Sequence, residues 1–221
     1  MKKPLVIFGA GDIAELAHYY FSSDSEYEVV AFTVDAAFAT SSEFCRRPVV
    51  HFHEVAVRYT PQTHSMFVAL SYSKLNEVRK QKFLEAKALG YGLASYISSR
   101  ATVLNRGQIG ENCFILEDNT IQPFVTIGNN VTLWSGNHIG HHSIIHDHAF
   151  IASHVVVSGG VEIEESCFIG VNATLRDHIK LGRKCVIGAG ALVLADVEPE
   201  GVYIGEATVR SKVPSTRLRN I

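Results

Sequence analysis

Counted in sixes from Ile97, the second half of the chain places an aliphatic residue at every step. The positions are Ile97, Val103, Ile109, Ile115, Ile121, Ile127, Leu133, Ile139, Ile145, Ile151, Val157, Ile163, Ile169, Leu175, Leu181, Ile187 and Val193. Seventeen consecutive positions hold this register. A helix repeats every 3.6 residues and a half-buried strand every two, so neither produces it. Two places before each aliphatic the residue is often small, as at Ala101, Cys113, Ser143, Ala149, Cys167, Ala173, Cys185 and Ala191. One place after it glycine recurs, at Gly110, Gly128, Gly140, Gly170, Gly182 and Gly188, which predicts tight corners with positive φ. Large and small inward residues alternating in this way suit a narrow triangular tube. Three hexapeptides make a coil of about 18 residues, and coils stack about 4.8 Å apart, so residues 97 to 193 predict a parallel β-helix about 27 Å long.

The first ninety residues follow another pattern. Pro4–Phe8 reads as a buried strand, Gly9-Ala10-Gly11 as a turn, and the stretch to about Phe21 as a helix. Tyr27–Val34 reads as a second strand ending at Asp35, Met66–Leu70 as a third, and Lys74–Leu89 as a helix of strong helix formers. This order is a small Rossmann-like α/β unit. The chain therefore divides into a Rossmann-like domain (1–92), a β-helix of hexapeptide repeats (93–198) and a C-terminal strand and tail (199–221).

Composition narrows the function. Hydrophobic residues make up 47% and the net charge is −2, which fits a folded domain and gives no basic face for nucleic acid. No apolar run approaches the roughly 20 residues of a membrane span. Met1-Lys2-Lys3-Pro4 does not lead into a signal-peptide core, and the four cysteines show no metal-type pairing. A cytoplasmic setting is expected. Histidine is the outlier: seven of the eleven lie between His138 and His178.

A short Rossmann-like domain followed by hexapeptide repeats resembles bacterial sugar acetyltransferases. These include the N-acetyltransferases of the bacillosamine pathway (PglD type) and the sialic-acid O-acetyltransferase-like proteins (NeuD type). The resemblance runs from Ile7-Phe8-Gly9-Ala10-Gly11 to Gly201-Val202-Tyr203-Ile204-Gly205. It implies a left-handed β-helix, a homotrimer, acetyl-CoA in a groove between neighbouring β-helices, and a nucleotide-sugar pocket formed with the N-terminal domain. The implied product is an N-acetylated UDP- or dTDP-amino-dideoxy sugar for surface polysaccharide or glycan synthesis. The family's basic histidine, two places after a repeat aliphatic, maps to His141. In many relatives an acid follows it; here the place holds His142. The usual motif near the C-terminus is altered to Gly205-Glu206-Ala207-Thr208.

The residues themselves support a site. Acetyl transfer to an amine needs a base, an oxyanion donor and a positioned thioester. Histidine titrates near working pH. Eighteen-residue stacking places Gly159 and then Asp177 beyond His141, and Gly160 and then His178 beyond His142. Bare backbone at Gly159 and Gly160 lets a thioester approach, and the resemblance also points to Gly159. Phe150, Gly188 and Arg210 complete the expected coenzyme A contacts; Lys212, Arg217 and Arg219 are further candidates for its phosphates. Gly9, Gly11, Asp35 and Asn137 are expected on the nucleotide-sugar side. For Asp35, contact with a base or ribose and a plain turn or capping role stand equal. No metal is expected. The alternatives are a sugar O-acetyltransferase, a trimeric zinc lyase of the γ carbonic anhydrase type, and a non-catalytic trimeric scaffold.

Overall fold

The computed structural model describes residues 2–217; Arg219 lies outside that range. The N-terminal domain runs β1 (Lys3–Phe8), α1 (Asp12–Ser23), β2 (Tyr27–Val34), β3 (Glu43–Phe44), β4 (Arg47–His51), α2 (Val55–Arg58), β5 (Ser65–Val68) and α3 (Glu77–Ala88). The sheet order is β3-β4-β2-β1-β5, parallel except for the β3–β4 hairpin. The sequence pattern finds β1, α1, β2 and β5 but misses the hairpin and α2. The hairpin turns at Cys45 and Arg46 with φ of 47° and 59°, a turn that usually advertises itself by Asn-Gly or Asp-Gly. Helix α3 begins at Glu77 and not at Lys74, because Lys74, Leu75 and Asn76 all have positive φ.

From Tyr96 onward the chain winds into a left-handed triangular prism. All seventeen aliphatic positions stand in short strands or, for Ile109, in an isolated bridge to Ile127. No helix or excursion interrupts the coil between 103 and 187. The first face stacks Tyr96–Ile97, Phe114–Ile115, Thr132–Leu133, Phe150–Ile151, Phe168–Ile169, Val186–Ile187 and finally Val202–Tyr203. The second runs from Thr102–Val103 to Leu192–Val193, and the third from Thr126–Ile127 to Lys180–Leu181. Pairing is 18 residues apart until the last turn, where Val186 meets Val202, so the closing coil is two residues shorter. The inward aliphatics from Ile115 to Val193 are buried, together with the small residues Cys113, Ala149, Cys167, Ala173, Cys185 and Ala191.

The corners correct the sequence reading. Gly110, Gly128, Gly140, Gly170, Gly182 and Gly188 do not have positive φ. A Cβ there would meet an atom of the next coil, at 2.5 Å for Gly140 and Gly182, so close approach selects glycine. Positive φ falls instead three places after each aliphatic, at every sixth residue from Arg106 to Gly190. His142, His148, His154 and His178 occupy such places, and histidine is enriched there with asparagine and aspartate.

The N-terminal domain covers the first face. Tyr20, Phe21 and Phe67 pack on Tyr96 and Phe114, and Tyr72 packs on Phe150 and Phe168. Polar groups then lock the register. The Asn112 amide brackets Val68, accepting from its N–H at 2.7 Å and donating to its carbonyl at 3.2 Å. Arg79, 1% exposed, donates to Asn76 Oδ1, to the Asn130 carbonyl and Oδ1, and to the His148 carbonyl. Burial lowers its pKa to about 10, so it stays charged at neutral pH.

His148, under this cover, accepts a hydrogen bond at Nδ1 from the Asn130 amide N–H at 2.9 Å and meets the Phe83 ring. Burial, which disfavours the charged ring, lowers its pKa to about 4. The unfolded chain takes up this proton near pH 6.5, the folded chain only near 4. Stability from the neutral ring is thus complete above about 6.5 and is lost as pH falls toward 4, by up to about 3 kcal/mol. His148→Asn keeps the left-handed corner and the amide partner. Denaturant midpoints at pH 7 and 5 should drop less in His148→Asn than in the parent chain.

Candidate active site

His141 lies two places beyond Ile139, at the corner between the second and third faces. Its own N–H is held by Gln122 Oε1 at 2.8 Å. Its ring overhangs Gly159 in the next coil: a Cβ on Gly159 would lie 2.6 Å from His141 Cε1 and 2.7 Å from Nε2. The N–H of Gly159 has no acceptor among the described residues, and Gly160 N–H donates to the His141 carbonyl at 2.8 Å. The expected column of His141 above Gly159 and Gly160 is therefore present. His141 Nδ1 is 3.1 Å from His142 Nδ1, so one ring donates and the other accepts. Asp177 does not reach His141; its one ion-pair partner among the described residues is His178 Nε2, at 4.0 Å.

A second concavity lies in the N-terminal domain, at the carboxyl ends of its parallel strands, the usual ligand edge of such sheets. A cavity of about 320 Å³ is lined by Phe8, Gly9, Ala10, Gly11, Val34, Asp35, Phe38, Leu70, Val78 and Lys82. Gly9 has φ of 122° and lies so near Ala69 that a Cβ would come within 2.7 Å of its carbonyl oxygen. Gly11 ends the turn at the start of α1 with open space around it. Asp35 makes no capping bond; it pairs with Lys82 at 2.8 Å. Lys82 also pairs with Glu85 at 2.6 Å and stands over the Phe8 and Phe52 rings. Its burial opposes the charge, but the two carboxylates outweigh this and hold its pKa above the ordinary lysine value. The glycine turn also borders a wider cleft, about 730 Å³, with Ser71, Tyr72 and Trp134 on its far side. Lys82 and Tyr72 escape sequence reasoning, since nothing in a helix of strong formers or a short loop marks them.

Three expected site residues have other work. Asn137 is buried, its amide donating to the Trp134 carbonyl and accepting from Val155 N–H at 2.8 Å, so it serves the coil's own backbone. Phe150 is buried on the first face between Phe168, Tyr72 and the Arg79 guanidinium, away from the His141 corner. Gly188 is covered by the chain's own last coil, donating to the Tyr203 carbonyl at 2.7 Å. Arg210 is exposed on the tail and makes no ion pair among the described residues. Three metal-ligating side chains gather in one place among the described residues, His51, His53 and Glu54 at the end of β4; no β-helix histidine is in that group.

Residues 107–140 and 127–159 match the bacterial transferase hexapeptide model (six repeats), and residues 160–195 match the hexapeptide repeat of succinyl-transferase. The two matches together run from 107 to 195, the greater part of the prism. No curated protein matches the chain by sequence. Solved structures do match in fold. The acetyltransferase domain of PglB from Neisseria gonorrhoeae is 23% identical with a TM-score of 0.81, over 92% of this chain and 97% of that one. Perosamine N-acetyltransferase from Caulobacter crescentus, as a histidine-to-asparagine mutant with CoA and GDP-perosamine, is 22% identical with a TM-score of 0.82, over 91% and 93%. WeeI from Acinetobacter baumannii is 18% identical with a TM-score of 0.77, over 92% and 97%. The PglB domain is also known in complex with acetyl coenzyme A. The fold shared with these solved structures thus extends through both the N-terminal domain and the prism. Among the described residues no helix is long and apolar enough to cross a membrane.

Gly159 offers a direct test of the overhang. Its φ is ordinary, so Gly159→Ala costs the backbone little, and the atoms it meets belong to the far end of a side chain. The variant should stay folded, with a melting temperature within about 3 °C of the parent for a change below about 1 kcal/mol. The His141 ring should be displaced, read from its NMR signals or a crystal structure.

Proposed function

We propose that the protein transfers the acetyl group of acetyl-CoA to the amino group of a nucleotide-linked amino sugar, with His141 as general base. The observation that carries this is the His141 ring overhanging the bare backbone of Gly159, whose N–H is open to a ligand. The sugar nitrogen attacks the thioester carbonyl as His141 Nε2 takes its proton. The Gly159 N–H donates to the oxygen that becomes negative. Collapse of the tetrahedral intermediate breaks the C–S bond, and the thiolate leaves as CoA after receiving the proton from His141. Acetyl-CoA is a co-substrate here, and no step needs a metal. The relatives' complexes with acetyl coenzyme A, and with CoA and GDP-perosamine, support both substrate classes. In the N-terminal cavity, Asp35 and Lys82 supply an acceptor and a donor side by side for the nucleotide, and the Gly9–Gly11 turn leaves room for its phosphates.

The working unit in this proposal is a homotrimer. Each chain's N-terminal domain covers the first face, whereas His141 stands at the opposite corner of the prism. One chain alone therefore holds its nucleotide cavity and its base on opposite sides. A neighbouring copy brings one chain's cleft to the other chain's histidine, and three copies close the ring. Light scattering should give three chains of 24.3 kDa. A monomer at assay concentration would count against the arrangement.

His141→Ala should lower kcat by roughly 10²–10⁴-fold, the usual worth of a general base, and leave acetyl-CoA binding nearly unchanged. Partial recovery at high pH, where a sugar amine is already deprotonated, would support proton removal. Steady-state kinetics with a panel of nucleotide-amino-sugars and their hydroxyl counterparts reads both the base and the acceptor. Preference for the hydroxyl acceptors would replace N- by O-acetylation.

A further inference from the structure

Phe124 stands at the His141 corner, three places beyond Ile121, with φ of 67°. It is the sole large apolar side chain among the left-handed corners of the prism; the others are polar, charged or glycine. A bulky residue gains nothing from that conformation, and strain there needs support from its surroundings. Within one chain burial does not provide it, since Phe124 is 65% exposed. Two unfavourable features thus coincide at one residue, one coil from the base.

The ring has one aromatic partner. It lies against His142 in the next coil, centroids 4.7 Å apart and planes tilted by 35°. His142 in turn meets His141 edge to face at 5.2 Å, with the two Nδ1 atoms 3.1 Å apart. Gln122, two places before Phe124, holds the His141 N–H. Side chains of one coil thereby fix both histidines of the next: Gln122 the backbone of the first, Phe124 the ring of the second.

We propose that Phe124 is a positioning residue: by stacking on His142 it holds the His142 Nδ1 as acceptor for the His141 Nδ1–H, leaving the His141 Nε2 lone pair over Gly159. The pair of rings then does what a carboxylate does beside many basic histidines, selecting the tautomer and fixing the ring. Phe124 touches neither reacting atom and acts through His142. The inference rests on the acetyl-transfer reading of the same site.

The test uses Phe124→Asn, which suits the left-handed corner but removes the ring, and Phe124→Tyr, which keeps it. Phe124→Asn should lower kcat by about tenfold or more, as small misplacements of a reacting group do. KM for acetyl-CoA should stay within about twofold, and the melting temperature should be equal or higher as strain is released. Phe124→Tyr should restore kcat to within about twofold of the parent. Added to His142→Ala, Phe124→Asn should cost nothing further, because both changes break one connection. An unchanged kcat in Phe124→Asn, or losses that multiply in the double variant, would overturn the proposal. So would dissociation of the assembly in Phe124→Asn, which would make the ring a contact between copies. If His141→Ala itself remains active, the acetyl-transfer reading fails first and this inference with it. If His141→Ala is inactive while Phe124→Asn is normal, only the inference falls.

Discussion

The prism depends on one backbone requirement. Three residues beyond each inward aliphatic the chain must pass through the left-handed region, and it does so at every corner from Arg106 to Gly190. Only then can a flat strand of two residues turn into the next face and bring the following aliphatic inward. The corners therefore draw on the few residue types that tolerate positive φ. Much of the histidine content follows from this and not from chemistry. His148 is a buried corner locked by Asn130, and His154 and His178 each cross over a glycine of the preceding coil. His141 sits one place earlier, with an ordinary backbone, and so owes its identity to its ring.

The same stacking decides which polar groups are free. Several corner side chains find their partner 18 or 19 residues away, as Asp147 does with Asn129 N–H and Glu164 with Arg183 N–H. Where glycine occupies one of the two places, as at Gly159, the ladder lapses and backbone is left bare. Gly136 and Gly160 also lie under histidine rings, but their N–H groups are bonded to the Glu117 and His141 carbonyls. Among the described residues, a histidine ring over a glycine with an open N–H is what distinguishes the Gly159 corner.

This explains what could be read from the sequence and what could not. The inward aliphatics are chosen by volume alone, so their period is visible in the letters, and the column of His141 over Gly159 follows by counting. Asn137 shows the limit. Its amide is consumed by Trp134 and Val155, and that depends on how far a carbonyl tilts at a corner, not on residue type. Phe150 has the look of a ligand-facing aromatic until the N-terminal domain is seen to cover its face. In that domain, β3 and β4 are too short and too polar to carry a period, and Lys82 belongs to a helix whose composition conceals the two carboxylates and two rings around it.

Arg79 has a mechanical meaning as well as a structural one. Its guanidinium grips the carbonyls of Asn130 and His148, one coil apart, while Asn76 beside it reaches Ser166 and Cys167 in the coil beyond. A swing of the N-terminal domain would strip a buried cation of all these acceptors at once, a cost of several kcal/mol. Domain and prism therefore travel as a single body, unlike enzymes that hinge shut around a ligand. A ligand entering the cleft beside the glycine turn meets walls that stand in place before it arrives, and discrimination between ligands rests on fit to a fixed mould.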